Sequence, residues 1–399
     1  MRGLAETASA AAGFAFPNDL HIHWSLMIVL YPYITGIVAG AFIVSSLYHV
    51  FGIKSLQPIA RFSLVFALAF LACATLPLMN HLGHPERALS MMFTPSPTSA
   101  MAGFGFIYSA YAIVLILEIL FIYRPTMVAL KDMSTGFMQK LYNILAIGSD
   151  NVSPKSLALD HKIISFLAGI GIPMACILHG YVGFIFGGVK ANPLWASPLM
   201  PVIFLLSACV SGIAGIIVTY MIIMKAKGRE IDMDCIRTCL KYLWGFFILD
   251  FVLEMLEIFA HAYTATHHWE TLHALYSGPL YISYVVLQVI IFSVVPFLLL
   301  TWMNLFRPGD TLVRIFAPVI SLMILFQVLL MRWNVVIGGQ LMSKSERGEV
   351  YFHPEWLEKE GIIPAILIMV LPLVILYVLS KVFPFWQEDD PVASKEATG

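Results

Sequence analysis

Asp250, Glu254, Glu257 and His261 lie four, three and four residues apart inside WGFFILDFVLEMLEIFAHAY, residues 244–263, a run long enough to cross a bilayer. On a helix that spacing puts all four on one face. At about 1.5 Å per residue the row extends roughly 16 Å, about half the hydrocarbon thickness. The other faces are Phe, Leu, Ile, Val and Met. A charge in lipid costs several kcal/mol or goes neutral, so such residues turn toward a bundle interior or a wet cavity. The chemistry this pattern suits is proton exchange. The plainer alternative is that the four groups only hydrogen-bond to neighbouring helices and fix their packing.

Other polar groups sit at the ends of apolar runs. NHLGHPERA collects His81, His84, Glu86 and Arg87 around a Gly and a Pro at the end of the second run. RWNVVIGGQ places Arg332, Asn334 and Gln340 at the end of the eighth. His179 falls inside the fourth run, and Glu118 lies in the third, where an acid needs a partner. Lone histidines such as His49 and His179 more often bond between helices than bind a ligand, and Trp195 reads as an interfacial anchor. The five cysteines form no CxxC or CxxCH, which argues against an iron–sulfur cluster or covalent haem on this chain. Cys235 and Cys239 read as a loop pair that lacks a third ligand.

The elements that must position these groups are membrane helices. Hydrophobic residues make up 59% of the 399 and charged ones 12%, with a mean hydropathy of +0.85, far from the globular average. The expected fold is all-α, a polytopic transmembrane helix bundle. Apolar runs at about 24–50, 57–79, 99–123, 161–188, 199–224, 242–263, 279–305, 312–331 and 362–383 give about nine spans, within a range of eight to ten. The stretch 138–148 is too short to span and reads as a surface helix or part of a tenth. No connection is long enough for a water-soluble domain, so residues 1–399 form a single integral membrane domain in a cell (inner) membrane. The N-terminal stretch lacks the basic and continuous apolar regions of a cleaved signal peptide.

Of the 23 Lys and Arg, 16 fall in the connections after the odd-numbered spans and in the C-terminal tail. By the positive-inside rule, residues 1–23 are an outer segment and 384–399 a cytoplasmic tail, with His261 near the outer surface and Asp250 near mid-membrane. A net charge of −1 offers no nucleic-acid footprint.

At HLGHPER, at LHGYVGFIFGGVKANPLWASPLMPVIFLLSA from Leu178 and at RWNVVIGGQ, the sequence resembles the NrfD/PsrC family of membrane quinone-reactive subunits (the polysulfide reductase membrane subunit family), nearest its DsrP/HybB branch. The resemblance implies a subunit of a respiratory oxidoreductase complex that carries no haem or iron–sulfur cluster of its own. Such a subunit exchanges electrons between membrane quinol, by resemblance menaquinol, and an extracytoplasmic ferredoxin-like iron–sulfur partner. A multihaem cytochrome and further membrane subunits accompany some members. A DsrP-like chain would serve sulfur metabolism and a HybB-like one a hydrogenase, and both remain open. The resemblance sets His81, His84 and Arg87 beside the quinone head group, with Arg332 and Asn334 as further candidates.

Quinol oxidation releases two electrons and two protons, so the site needs groups that bind both oxygens and accept protons near neutral pH. The expected assignment has His81 or His84 at one oxygen and Arg87 or a Glu257/His261 pair at the other. Asp250 and Glu254 then lead a proton path inward, and Glu118 continues it toward the cytoplasm. Rival readings are an ion-coupled secondary transporter, a haem b cytochrome using His49, His179 or His261 as axial ligands, and a passive anchor.

Overall fold

The computed structural model describes residues 22–391 apart from 266, 344, 345, 347, 387 and 388. The expected outer segment, apart from residues 22 and 23, and most of the expected tail therefore lie outside the described residues. The long helices are α1 (Leu26–His49), α2 (Gln57–Ala74, continued as Leu76–His81), α3 (Ala100–Met133), α4 (Pro154–Gly187), α5 (Met200–Ala226), α6 (Met233–Thr264), α7 (Tyr281–Phe306), α8 (Asp310–Val336) and α9 (Ile362–Leu379). All but α6 are long and apolar enough to cross a membrane, which makes the chain a multi-pass integral membrane protein. The α6 helix matches its neighbours in length at 32 residues but carries the acidic row, and it packs along α5, α7 and α8. The described residues contain no β-strand.

Side-chain bonds show which helix ends share a face. On the first face, Trp24 N–H donates to Gln340, Asn80 to the Lys359 carbonyl, and Asn192 to the Gly339 carbonyl. The starts of α1, α5 and α9 therefore lie beside the ends of α2 and α8. On the second face Arg61 pairs with Asp390, Arg229 with Asp389, and Arg237 with Asp310. Arg229 and the neighbouring Lys227 hold the Asp389 carboxyl below its usual range.

Hydropathy misplaces three boundaries: α6 starts at Met233, nine residues before its expected start, and the other two share one reason. The α3 helix runs ten residues past its expected end and α4 begins seven before its expected start, because polar residues there leave the hydrocarbon without leaving the helix. Buried Arg124 joins the two extensions, donating through Nε (2.8 Å) and Nη2 (2.5 Å) to Asp160 and through Nη1 to the Asn151 carbonyl. The 138–148 stretch contains a ten-residue helix, Gly136–Leu145, too short to span. Cys235 and Cys239 are buried inside α6 and not in a loop.

The centre of the molecule is α1 and α5, whose apolar windows are 94% and 78% buried, against 17% for α7 and α9. Lipid gives apolar helices no hydrophobic reason to associate, so close packing must come from small residues. Gly36, Gly40, Ala208 and Gly212 supply it. A Cβ on Gly40 would stand 2.1 Å from the Ala208 carbonyl oxygen, and one on Gly212 2.3 Å from the Gly40 carbonyl carbon. Gly212→Leu should push the two backbones apart at a cost above ~3 kcal/mol and sharply lower the yield of folded protein. Gly245→Leu on α6, where nothing lies within 4 Å, should leave yield and melting temperature close to wild type.

Candidate functional site

The acidic row of α6 meets its partners where α6, α7 and α8 converge. Glu254 is 6% exposed and takes long hydrogen bonds from two amides, Gln288 Nε2 on α7 (3.3 Å) and Gln327 Nε2 on α8 (3.4 Å). Gln288 in turn accepts from Asn334 Nδ2 at 2.8 Å, and the same amide donates to the Ser283 carbonyl. The segment carrying Gln288, Tyr281–Val294, is wound as a π-helix, a rare geometry frequent at functional sites. One turn deeper than Glu254, Asp250 is fully buried, and neither of its carboxyl oxygens has a hydrogen-bond partner.

Arg332 lies within electrostatic range of both acids but points its guanidinium toward α4 and α5. Its Nη2 donates to Ser207 Oγ (2.6 Å) and the Phe204 carbonyl and lies 3.1 Å from His179 Nε2, while the guanidinium carbon stands 3.7 Å above the Phe204 ring. Its Nε has no partner, nor does His179 Nδ1. The His179 ring fills the space over Gly36, where a Cβ would be 3.1 Å from Cε1. A buried cation, two buried acids and a histidine thus share one low-dielectric interior, the setting in which charge and proton position are most tightly coupled.

Between this interior and the first face lies a small cavity of about 60 Å³. Glu254, Glu257, His261, Gln288 and Asn334 supply its polar wall, and Trp269, Tyr276, Tyr284, Leu194 and Ile258 its apolar one. Two buried polar atoms of lining residues, Glu257 Oε1 and Asn334 Oδ1, have no partner. The Tyr276 and Tyr284 rings stack at 4.7 Å. Over the cavity lies the helix His267–Ser277, tied to Glu346 by the Thr271 hydroxyl donating to its carboxylate (2.7 Å). Apolar walls and a few convergent polar groups suit a ring-shaped amphiphile with oxygen atoms.

The spacing in α6 therefore does place Glu254, Glu257 and His261 on one wall, with Asp250 behind them and Asn334 opposite. The HLGHPER turn does not join them. His81 Nδ1 sits 2.9 Å from Glu360 Oε2, a carboxylate that also takes the Ser25 hydroxyl. His84 pairs with Glu86, and both are largely exposed, as is Arg87. Among the described residues, none of this turn lines the cavity. Extended Leu82 ends the α2 helix and carries the chain outward past the face. Glu118 is fully buried on α3 with both oxygens unpartnered, and α3 makes no substantial packing with α6.

Some participants had escaped the reading of spacing. Gln288 and Gln327 are amides in the apolar middle of their helices, a signal present in the sequence. Ser207, Tyr276 and Tyr284 gave none, since isolated hydroxyls and aromatics are common in such helices. Trp195 is not a lipid-facing anchor. It is 5% exposed, stacks on Trp24 at 4.8 Å and donates to the Val335 carbonyl, fixing the end of α8. No group of three or more His, Cys, Asp or Glu among the described residues could hold a metal ion.

A family model described as polysulphide reductase, NrfD, matches residues 17–344. A selenate reductase subunit of Mesobacillus selenatarsenatis is 30% identical over 79% of this chain and 73% of its own length. The Hdr-like menaquinol oxidoreductase integral membrane subunit of Archaeoglobus fulgidus is 24% identical over 54% of this chain and 46% of its own. Protein NrfD of Escherichia coli is 25% identical over 56% and 67%. The chain thus spans about half the length of one of these relatives and two thirds to three quarters of the others.

The electrostatic reading of the interior can be measured directly. Arg332→Met should destabilise the protein by about 3–5 kcal/mol, because it leaves two acids without their buried cation. Adding Asp250→Asn should restore part of that loss. A double-mutant cycle on thermal unfolding reports the coupling, and strictly additive effects would mean that the two charges do not interact.

Proposed function

The chain belongs to the NrfD family, as a membrane subunit of oxidoreductase complexes, and on that footing we propose that it is the quinone-reactive subunit, binding a quinol head group in the cavity between α6, α7 and α8. The observation that carries this reading is the wall of that cavity, where two carboxylates, an imidazole and two amides face an aromatic slot at membrane depth. A quinol brings two electrons and two protons to such a site. Glu257 and His261 are the groups that accept the hydroxyl protons, and the Asn334 and Gln288 amides orient the ring by hydrogen bonds. Glu254 and Asp250 carry a proton on toward Arg332 and His179. The electrons leave to a redox partner docked on the first face. Reversing every transfer gives quinone reduction by the same residues.

The quinone is menaquinone in this proposal, in keeping with the name of the Archaeoglobus relative. The partner is a ferredoxin-like iron–sulfur protein, joined in some complexes by a multihaem cytochrome. We place the first face outside and the second in the cytoplasm, since the Lys- and Arg-rich connections lie on the second. The exposed HLGHPER turn then becomes partner-binding surface, with Leu89 (67% exposed) and Phe93 (82%) following it. Glu118 is a separate titratable group of the α3 side. The haem b reading is disfavoured because Arg332 and the Gly36 backbone already occupy the space a haem plane would need at His179.

Asp250→Asn and Glu254→Gln keep volume and hydrogen bonding but cannot cycle a proton. Quinol-dependent electron transfer in both should fall at least tenfold between about pH 5 and 9 with quinone binding retained. Wild-type rates and pH dependence in both variants would reduce the row to packing. His84→Ala with Arg87→Ala should leave quinone binding intact and weaken retention of the iron–sulfur partner on co-purification. Normal partner yield together with lost quinone binding would return the turn to the head group.

A further inference from the structure

The membrane face opposite the quinone cavity holds a second, larger opening that the redox reading does not use. A cleft of about 1410 Å³, mouth included, lies where the end of α1, the start of α2, the middle of α3 and the start of α4 meet. Its polar part is basic, with His49, Lys54, Arg61 and His161, while Phe121, Ile122, Pro125 and Ile164 form an apolar side wall. Asp160 is the one acid lining it among the described residues, and its charge is already taken up by Arg124. Lys54 is exposed and pairs with no acid among the described residues. Arg61 gives Nη1 to Asp390, and its guanidinium lies 5.5 Å from the centre of the Tyr123 ring, so its other N–H groups remain available. His49 Nε2 is buried without a partner.

We propose that this cleft is a binding site for an anionic phospholipid, with the phosphate held by Lys54, Arg61 and His161 and one acyl chain along Phe121, Ile122 and Ile164. Two features favour a lipid over a free anion. Basic groups at the helix ends stand at head-group level on the face rich in Lys and Arg, where anionic lipid gathers in a cytoplasmic leaflet. An apolar wall continues from them along α3 and α4 toward lipid-facing residues such as Leu157 (38% exposed) and Phe166 (65%), which an inorganic anion would leave unused. The phosphodiester keeps its single negative charge throughout, and no covalent step is involved.

The test is native mass spectrometry of the full purified chain in detergent, with added phosphatidylglycerol, phosphatidylcholine or inorganic phosphate. Wild type should retain phosphatidylglycerol at least fivefold over phosphatidylcholine. Lys54→Glu combined with His161→Glu, both at exposed positions, should bring the ratio close to one with the melting temperature unchanged. Lys54→Arg should keep the preference. Equal retention of the two lipids by wild type would overturn the site. So would an undiminished preference in the double variant, or phosphate binding unaccompanied by any lipid preference. Because the cleft and the quinone cavity share no residue, loss of lipid preference with normal quinol kinetics separates this inference from the proposed function.

Discussion

A guanidinium with zero exposure in the middle of a membrane protein sets the terms for everything near it. Arg332 cannot shed its charge, so the fold must surround it with groups that replace water. It does so asymmetrically. Neutral acceptors and an aromatic face from α4 and α5 hold the guanidinium directly, while the two carboxyl groups able to balance it sit on α6, within range but without a hydrogen bond to it. Asp250 is left with two bare oxygens as a result. A tightly closed ion pair would have satisfied both groups and left nothing to titrate. Keeping cation and anions apart instead makes the interior responsive to one proton more or less.

The same arrangement accounts for the roles of the surrounding helices. Gln288 and Gln327 reach Glu254 from two sides, and Asn334 fixes Gln288, so three helices meet through amides whose hydrogen-bonding ability does not depend on pH. The titratable residues are confined to α6 and to His179. An interior of this kind holds a fixed shape while the charge within it changes. This is what a site must do if it passes protons repeatedly without rearranging its walls.

Much of this was legible in the sequence, though unevenly. Helix positions followed from hydropathy because lipid forces every spanning segment to be helical and apolar. The acidic row followed from spacing, because one helix fixes the relation of its own residues. What spacing cannot give is the relation between helices. HLGHPER and the acidic row were expected to meet at one ligand, since both lie at the same end of their helices. The structure sets them at separate places on that face, because Glu360 from the segment before α9 holds His81 and the cavity roof comes from 267–277 instead. Boundaries at the second face failed for a related reason: the buried Arg124–Asp160 link sustains helix where a hydropathy profile sees only charge and so an end.

The glycine contact at the centre has a consequence for motion. At Gly40, Ala208 and Gly212 the α1 and α5 backbones touch directly, with no side chain longer than a methyl between them. The α4 helix packs against both members of that seam and α6 against α5, so both groups of helices rest on it. A protein that exposed its site alternately to each side of the membrane by rocking one flank against the other would need a compliant joint at this position. Here the two backbones are already in direct contact, so such a motion would first have to part them.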